Sequence, residues 1–373
     1  MDIAFYAPMK APDHPVPSGD RRMAQLLLRA LRLAGHRVSV ASRLRSYDGT
    51  GDAARQGRLG AVAGRLARRY VERRGESPPD LWFTYHCYHK APDLLGPAVA
   101  DAFGIPFVIA DASVAPKQAT GPWAGGYAAA NAAIRRADRL IAFDPLDLPC
   151  LRTLRNGTAG IIQMAPFADL APPAADDRAA ARQRLARDLA IDPATPWLAV
   201  TAMMRPGAKR DSYKVLARAL ARLAGRQWLL LVAGDGPARP EVEASFGDLP
   251  AVRFLGELDR DAVHRLHLAS DLALWPAVDE GYCMALVEGL AAGLPAVAGD
   301  RPGIARVIRH GETGLLTPVG DDAAFAHAVA SLLDHPARRA TMSRAAAGSA
   351  ARFGLADAAV HLDEVLAAAR KGG

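Results

Sequence analysis

The stretch Glu280 to Gly293, EGYCMALVEGLAAG, stands between two short apolar runs, Asp271-LALWP before it and Leu294-PAVAG after it. Apolar runs without polar alternation read as strands buried on both faces, the signature of a parallel sheet. Between them, helical periodicity begins near Met284 and ends at Gly293, where glycine takes the left-handed conformation that closes helices. The unit is strand, loop, helix, strand. It belongs to an open α/β sheet, in which ligands lie beyond the C-terminal ends of the strands.

The chemistry of that loop follows from its residues. Glu280 sits in a turn, after Pro276 and before Gly281. The amides of Gly281, Tyr282, Cys283 and Met284 open the helix, and unpaired amides there favour phosphate or polar oxygens. Glu288, two turns on, is placed to accept hydrogen bonds from vicinal hydroxyls such as those of ribose. A phosphate cradle followed by a carboxylate suggests a nucleotide sugar. Upstream, the strand Trp197-LAVTAM leads into Met204-RPGAKRD. Arg205 and Lys209 stand just past a strand end, where two cations suit a diphosphate whose charge grows as the leaving group departs.

This combination resembles the donor-site signature of the retaining glycosyltransferases of family 4, which use the GT-B fold. Members carry a similar E-x(7)-E element followed by a small residue, GxP and an apolar strand. They also carry an arginine, a short turn, a lysine and usually a glycine. Here the spacing is one residue shorter if Lys209 is the match. Arg210 stands at the usual distance, and Asp211 replaces the glycine. Tyr282-Cys283 stands where relatives often have Phe-Gly, which adds bulk beside the sugar. Gln227-WLLLVAGDGP resembles the family's GxGP turn and adds Gly234 to the donor residues. The resemblance implies two Rossmann-like α/β/α domains facing across a central cleft. Residues 1–171 would bind the acceptor and 172–354 the donor. Residues 355–373 would form a helix packing back on the first domain, and Pro172-PAADD is the linker candidate.

The first half begins with a β-α-β pattern: Asp2-IAFYAP, a helix from about Arg21 to Ala34, then His36-RVSVAS. The intervening loop closes with Ser18-Gly19-Asp20. It is not a G-x-G-x-x-G fingerprint, so a dinucleotide is disfavoured. Gly19 lets the backbone approach a ligand or simply makes a turn; family 4 places a glycine-containing loop here on the acceptor side. Asp80-LWFTYH ends in the cluster His86-Cys87-Tyr88-His89, and no further ligand stands at metal-site spacing. The histidines then line the cleft or pack under it, and in the family reading His86 is an acceptor-side candidate. Gly104-IPFVIAD ends at Asp111, where many relatives have a histidine. Asp111 would accept a hydrogen bond from an acceptor hydroxyl, serve as its general base, or cap the next segment. The D-x-D at Asp259-Arg260-Asp261 precedes a helix pattern and reads as an N-cap with an acid in the first turn. No metal or other cofactor is expected to be essential.

Composition bounds the rest. The chain has 373 residues and a formal net charge of +7, a balance that fits anionic substrates or an anionic membrane surface. Residues 55–74 read as a basic helix with Leu59, Val62, Leu66 and Tyr70 on one face, a candidate for peripheral membrane contact. Nucleic acid is disfavoured, because no zinc-finger, RRM-like or basic-aromatic pattern occurs. Three separated cysteines make no disulfide framework. With no signal-peptide or membrane-spanning pattern, a cytoplasmic protein is expected, with the inner face of the membrane as a peripheral site. The expected reaction moves a hexose from a nucleoside diphosphate sugar to a hydroxyl of a glycan, lipid or small-molecule acceptor with retention. The alternatives are a non-catalytic nucleotide-sugar-binding relative, or a sugar phosphorylase or epimerase on the same fold.

Overall fold

The computed structural model describes residues 1–16, 18–170, 177–247, 249–281 and 283–371. The chain divides into two compact units, Met1–Ala165 with Leu355–Gly373, and Pro166–Gly354. The expected linker at Pro172 lies outside the described residues.

The first unit is built on six parallel strands: β1 (Asp2–Tyr6), β2 (Arg37–Ser42), β3 (Leu81–Cys87), β4 (Phe107–Ala112), β5 (Arg139–Ala142) and β6 (Ile161–Gln163), in the order β2-β1-β3-β4-β5-β6. Ile3, Phe5, Leu81, Phe83, Phe107 and Ile109 are fully buried. Helices cover both faces, so the strands have no polar side to show. The helix Gly19–Leu33 starts two residues earlier than the periodicity suggests. The cause is Ser18, whose side chain accepts from Arg21 N and draws Gly19 and Asp20 into the first turn. The C-terminal helix Leu355–Lys371 packs on this one, with Leu362 and Leu366 fully buried.

The basic helix spans Ala53–Arg74, capped by Asp52. Its deepest row is Ala63, Ala67 and Tyr70, while Leu59, Val62 and Leu66 are half-buried. The alanines let the helix approach its neighbour closely, which turns the expected apolar face aside by about one position.

The second unit repeats the plan with β7 (Trp197–Thr201), β8 (Leu229–Ala233), β9 (Val252–Gly256), β10 (Leu272–Trp275), β11 (Ala296–Gly299) and β12 (Gly314–Thr317). All are parallel, in the order β12-β11-β10-β7-β8-β9. The chain winds outward from β7 to β9, then returns to place β10 on the other side of β7. The reversal lies between β7 and β10, where Leu272 pairs with Leu198 and Ala273 with Ala199. Loops leaving the ends of those two strands diverge to opposite faces and leave room for a ligand. Residues 202–207 and 276–283 are those loops. Together the two sheets make two Rossmann-like α/β/α domains.

Candidate functional site

The turn after β7 is pinned from beneath. Met204 N donates to Asp235 O at 2.9 Å, and Ala238 N donates to Met204 O at 2.9 Å. Gly234 makes this packing possible: at φ +147°, a Cβ there would stand 1.9 Å from Ala202 O. The helix Ala208–Ala221 then begins at Gly207, whose φ is +83°. Lys209 and Arg210 are neighbours in its first turn and point apart. Arg210 turns outward to Glu241 at 3.0 Å and Asp211 at 3.3 Å. Lys209 turns inward, and its Nζ meets Glu280 Oε1 at 2.6 Å.

The same Glu280 oxygen lies 3.3 Å from the indole N–H of Trp275, the last residue of β10. The Lys209 ammonium stands 4.9 Å from the centroid of that indole. Lys209, Trp275 and Glu280 are therefore one cluster. The Glu280 side chain is 10% exposed and that of Lys209 25%, so their attraction is poorly screened by solvent. Arg205 lies exposed on the same turn as Lys209.

The Glu280 loop is held from several sides. Ser212 donates to Ala208 O and accepts from Val278 N at 3.1 Å. Asp279 pairs with Arg301 at 2.7 Å. Ala277 takes φ +48°, an uncommon conformation for a residue with a side chain. The helix Met284–Ala291 follows, with Cys283 extended at its N-cap and making no side-chain cap bond. Cys283 is buried, and burial pushes its thiol up to about 11, so it is neutral at ordinary pH. Gly281 and Met284 are partly exposed, and Glu288 is half-buried on the second turn. Tyr282 lies outside the described residues.

The acceptor-side candidates form a second cluster, at the C-terminal ends of β3 and β4. His86 and Asp111 both have φ +63°, which swings both side chains out of strand register. His86 Nδ1 meets Asp20 Oδ1 at 2.9 Å, and Asp111 Oδ2 stands 3.9 Å from the same nitrogen. Burial alone would lower the His86 pKa, but the hydrogen bond it donates to Asp20 and the charge of Asp111 raise it above its usual value. Asp20 is held below the usual carboxylate range by that bond despite its own burial. Burial raises Asp111, and so do the charges of Asp20 and Asp144, against the pull of His86. Asp147 is raised to about 6, first by burial and then by Asp111 and Asp144. A buried carboxylate of raised basicity is a competent proton acceptor. Gly19 lies one residue from Asp20, and a Cβ there would meet nothing within 4 Å.

Three of these participants, Trp275, Asp20 and Asp147, carry little local signal in the sequence. Trp275 sits in an apolar run and reads as core. Asp20 and His86 are far apart in the chain, and only the adjacency of β1 and β3 joins them. Asp147 carries the signal of an acid just beyond a strand end, which was available in Asp144-PLD. Cys87, a member of the histidine cluster, points into the core, and burial pushes its thiol up to about 12. In the D-x-D, Asp259 accepts from Ala262 N as an N-cap and Asp261 lies in the first turn.

Residues 195–335 match the family described as Glycosyl transferases group 1. A D-inositol 3-phosphate glycosyltransferase from Mycobacterium sp. (strain KMS) is 33% identical over 227 residues, covering 59% of this chain and 50% of that protein. The chain thus spans about half the length of the curated relatives it matches. In architecture, it is similar to a sucrose-phosphate synthase from Thermosynechococcus elongatus, with a TM-score of 0.75 at 20% identity and full coverage of both chains. It is also similar to Anabaena HepE in complex with UDP-glucose, with a TM-score of 0.71 at 18% identity, covering 99% of this chain and 100% of that one. These likenesses show the GT-B fold. Residues 195–335 of the second unit are thus similar to the group 1 glycosyl transferases.

Proposed function

We propose that the protein transfers a hexose from a nucleoside diphosphate sugar to a hydroxyl of a glycan, lipid or small-molecule acceptor, with retention at the anomeric carbon. The observation that carries this reading is the Lys209–Glu280–Trp275 cluster at the reversal between β7 and β10. It brings a cation from one strand end to a carboxylate from the next. The names of the glycosyltransferase relatives support the activity, and the UDP-glucose complex of HepE makes UDP-glucose the first donor to try.

In this reading Arg205 and Lys209 hold the diphosphate and stabilise its charge as the bond to the anomeric carbon breaks. The N-terminus of the helix Met284–Ala291 offers amides to sugar or phosphate oxygens. Glu280 is already engaged by Lys209 and Trp275, so it orients sugar hydroxyls rather than attacking carbon. Glu288 accepts from the ribose. As the acceptor oxygen bonds to the anomeric carbon, its proton passes to an oxygen of the departing phosphate, so no covalent enzyme intermediate forms. Catalysis is then mainly positioning and charge stabilisation, with no metal required.

The test is thermal stabilisation by UDP, GDP, ADP and their hexose conjugates, followed by NMR of the product's anomeric configuration. Stabilisation scales as RT ln(1 + [L]/Kd) for a ligand of the folded state. A shift with one nucleotide series and a product of retained configuration support the reading. No shift with any of them, or an inverted product, overturns it.

A further inference from the structure

Beside the His86 cluster, the first unit carries a feature that the donor reading leaves unused. His86 stacks on Tyr88 with ring centroids 4.8 Å apart and planes at 29°. Tyr88 meets His89 edge-on at 5.2 Å, and His89 meets Trp123 edge-on at 6.2 Å. The four rings make one continuous half-exposed row. Cations flank it. The Lys90 ammonium lies 4.7 Å from the Trp123 centroid, and the Arg45 guanidinium, 4.6 Å from the centroid of Tyr47, is close enough for its charge to act on Tyr88. The charges of Lys90 and Lys117 both act on His89, depressing its pKa beyond the effect of burial. Among the described residues, Arg45, Lys90 and Lys117 pair with no carboxylate. The Arg45 Nε is used on Met9 O at 3.0 Å, which leaves its terminal nitrogens available.

The row is built rather than incidental, because one buried residue ties its three segments together. Asp48 N donates to Lys90 O at 2.7 Å, and Asp48 O accepts from the Trp123 indole at 3.0 Å. Its carboxylate accepts from Gln56 at 2.8 Å and Thr50 N at 3.0 Å. Burial opposes its ionisation, yet these bonds hold its pKa at about 2. The aromatic row and its cations are thereby fixed to a single anchor.

We infer that this row is a binding site for an acidic sugar, a pyranose bearing a phosphate or a carboxylate, and that it sets the acceptor's charge preference. Ring faces meet the apolar C–H face of a pyranose. Unpaired cations beside them meet its anion through charge-assisted hydrogen bonds. The neighbouring His86 and Asp111 offer groups to a hydroxyl of the same ring. The inference deepens the transferase reading and rests on it for the word acceptor, but the binding itself does not.

The test is isothermal titration of the full chain with glucose 6-phosphate, glucuronate and glucose. Either acid should bind at least about tenfold more tightly than glucose, with an advantage that shrinks as salt rises. Which acid binds better identifies the anion. Lys90→Gln and Lys117→Gln should each weaken the acid by about threefold to tenfold, and Lys90→Arg should retain it. Nucleotide-induced stabilisation, which reports on the second unit, should persist in these variants. Equal affinity for glucose and both acids, no binding of any, or unchanged affinity in the glutamine variants would overturn the inference. If no nucleotide stabilises the wild-type chain, the donor reading fails while the acid-sugar titration still decides this one.

Discussion

Replacing Lys209 by methionine removes a charge while keeping the length of the side chain. At 2.6 Å and an effective dielectric near 20, the Lys209–Glu280 attraction has a gross value of about 6 kcal/mol. Desolvation of a carboxylate only 10% exposed offsets most of it, leaving a coupling of about 1–3 kcal/mol. Lys209→Met strands that carboxylate with the Trp275 indole alone, at a cost of about 1–3 kcal/mol. In a unit of this size, each kcal/mol lowers Tm by about 2–4 °C. Lys209→Met with Glu280→Gln removes both charges and should recover most of the loss. Turnover should behave differently. Losing one cation from a diphosphate site costs about 10²- to 10³-fold in kcat/KM, and the double variant should not regain it. The assay is urea unfolding of the four proteins in a double-mutant cycle, with donor turnover measured on the same preparations. Additive stabilities would show that the pair does not form in solution. Near-normal kcat/KM in Lys209→Met would remove this lysine from the donor site.

Glu288→Ala should lower kcat/KM about 10²-fold through loss of a charge-assisted contact to substrate; kinetics and a melt on one sample separate that loss from any loss of folded protein. Gly234→Ala should destabilise by about 2–4 kcal/mol, because its Cβ would stand 1.9 Å from Ala202 O at a φ that side chains avoid. Denaturant unfolding reads that loss directly. His267 is buried against the Thr201 hydroxyl at 2.9 Å, and burial depresses its pKa to about 4. A depressed histidine gives full stability above about pH 6.5 and loses up to about 3 kcal/mol as pH falls toward 4. His267→Gln should flatten that part of the stability–pH curve. Asp147 has the opposite sign for an acid: with its pKa raised to about 6, ionisation burdens the folded state at higher pH. Asp147→Asn should raise Tm at pH 8, by an amount that vanishes toward pH 4.

The strand–loop–helix–strand unit around Glu280 was legible because a doubly buried parallel strand leaves a continuous apolar run. Leu272–Trp275 and Ala296–Gly299 fall within the two such runs. The choice between Lys209 and Arg210 was not legible from spacing. Consecutive helical residues point about 100° apart, so only the position of the helix turn decides which of them meets Glu280. The pairing of Asp20 with His86 depends on β1 lying beside β3, and strand order is invisible to local periodicity. The left-handed backbone of His86 and Asp111 carries only a weak sequence signal, since histidine and aspartate are enriched there but far less than glycine. The helix Pro336–Ser349 was missed because its many alanines leave no apolar stripe to count. Gly234 stood out as a turn glycine, but its tight packing under Ala202 becomes visible only when the strands are adjacent.

The C-terminal helix has a consequence for the timing of synthesis. The first unit is discontinuous: Leu362 and Leu366, fully buried in it, are made only after all of Pro166–Gly354 has been synthesised. Ordinarily, the N-terminal domain of a nascent chain completes first. Here the middle unit is translated while its predecessor still lacks the helix that covers Gly19–Leu33. The apolar face of that earlier helix must therefore wait, exposed, through the translation of an entire second sheet.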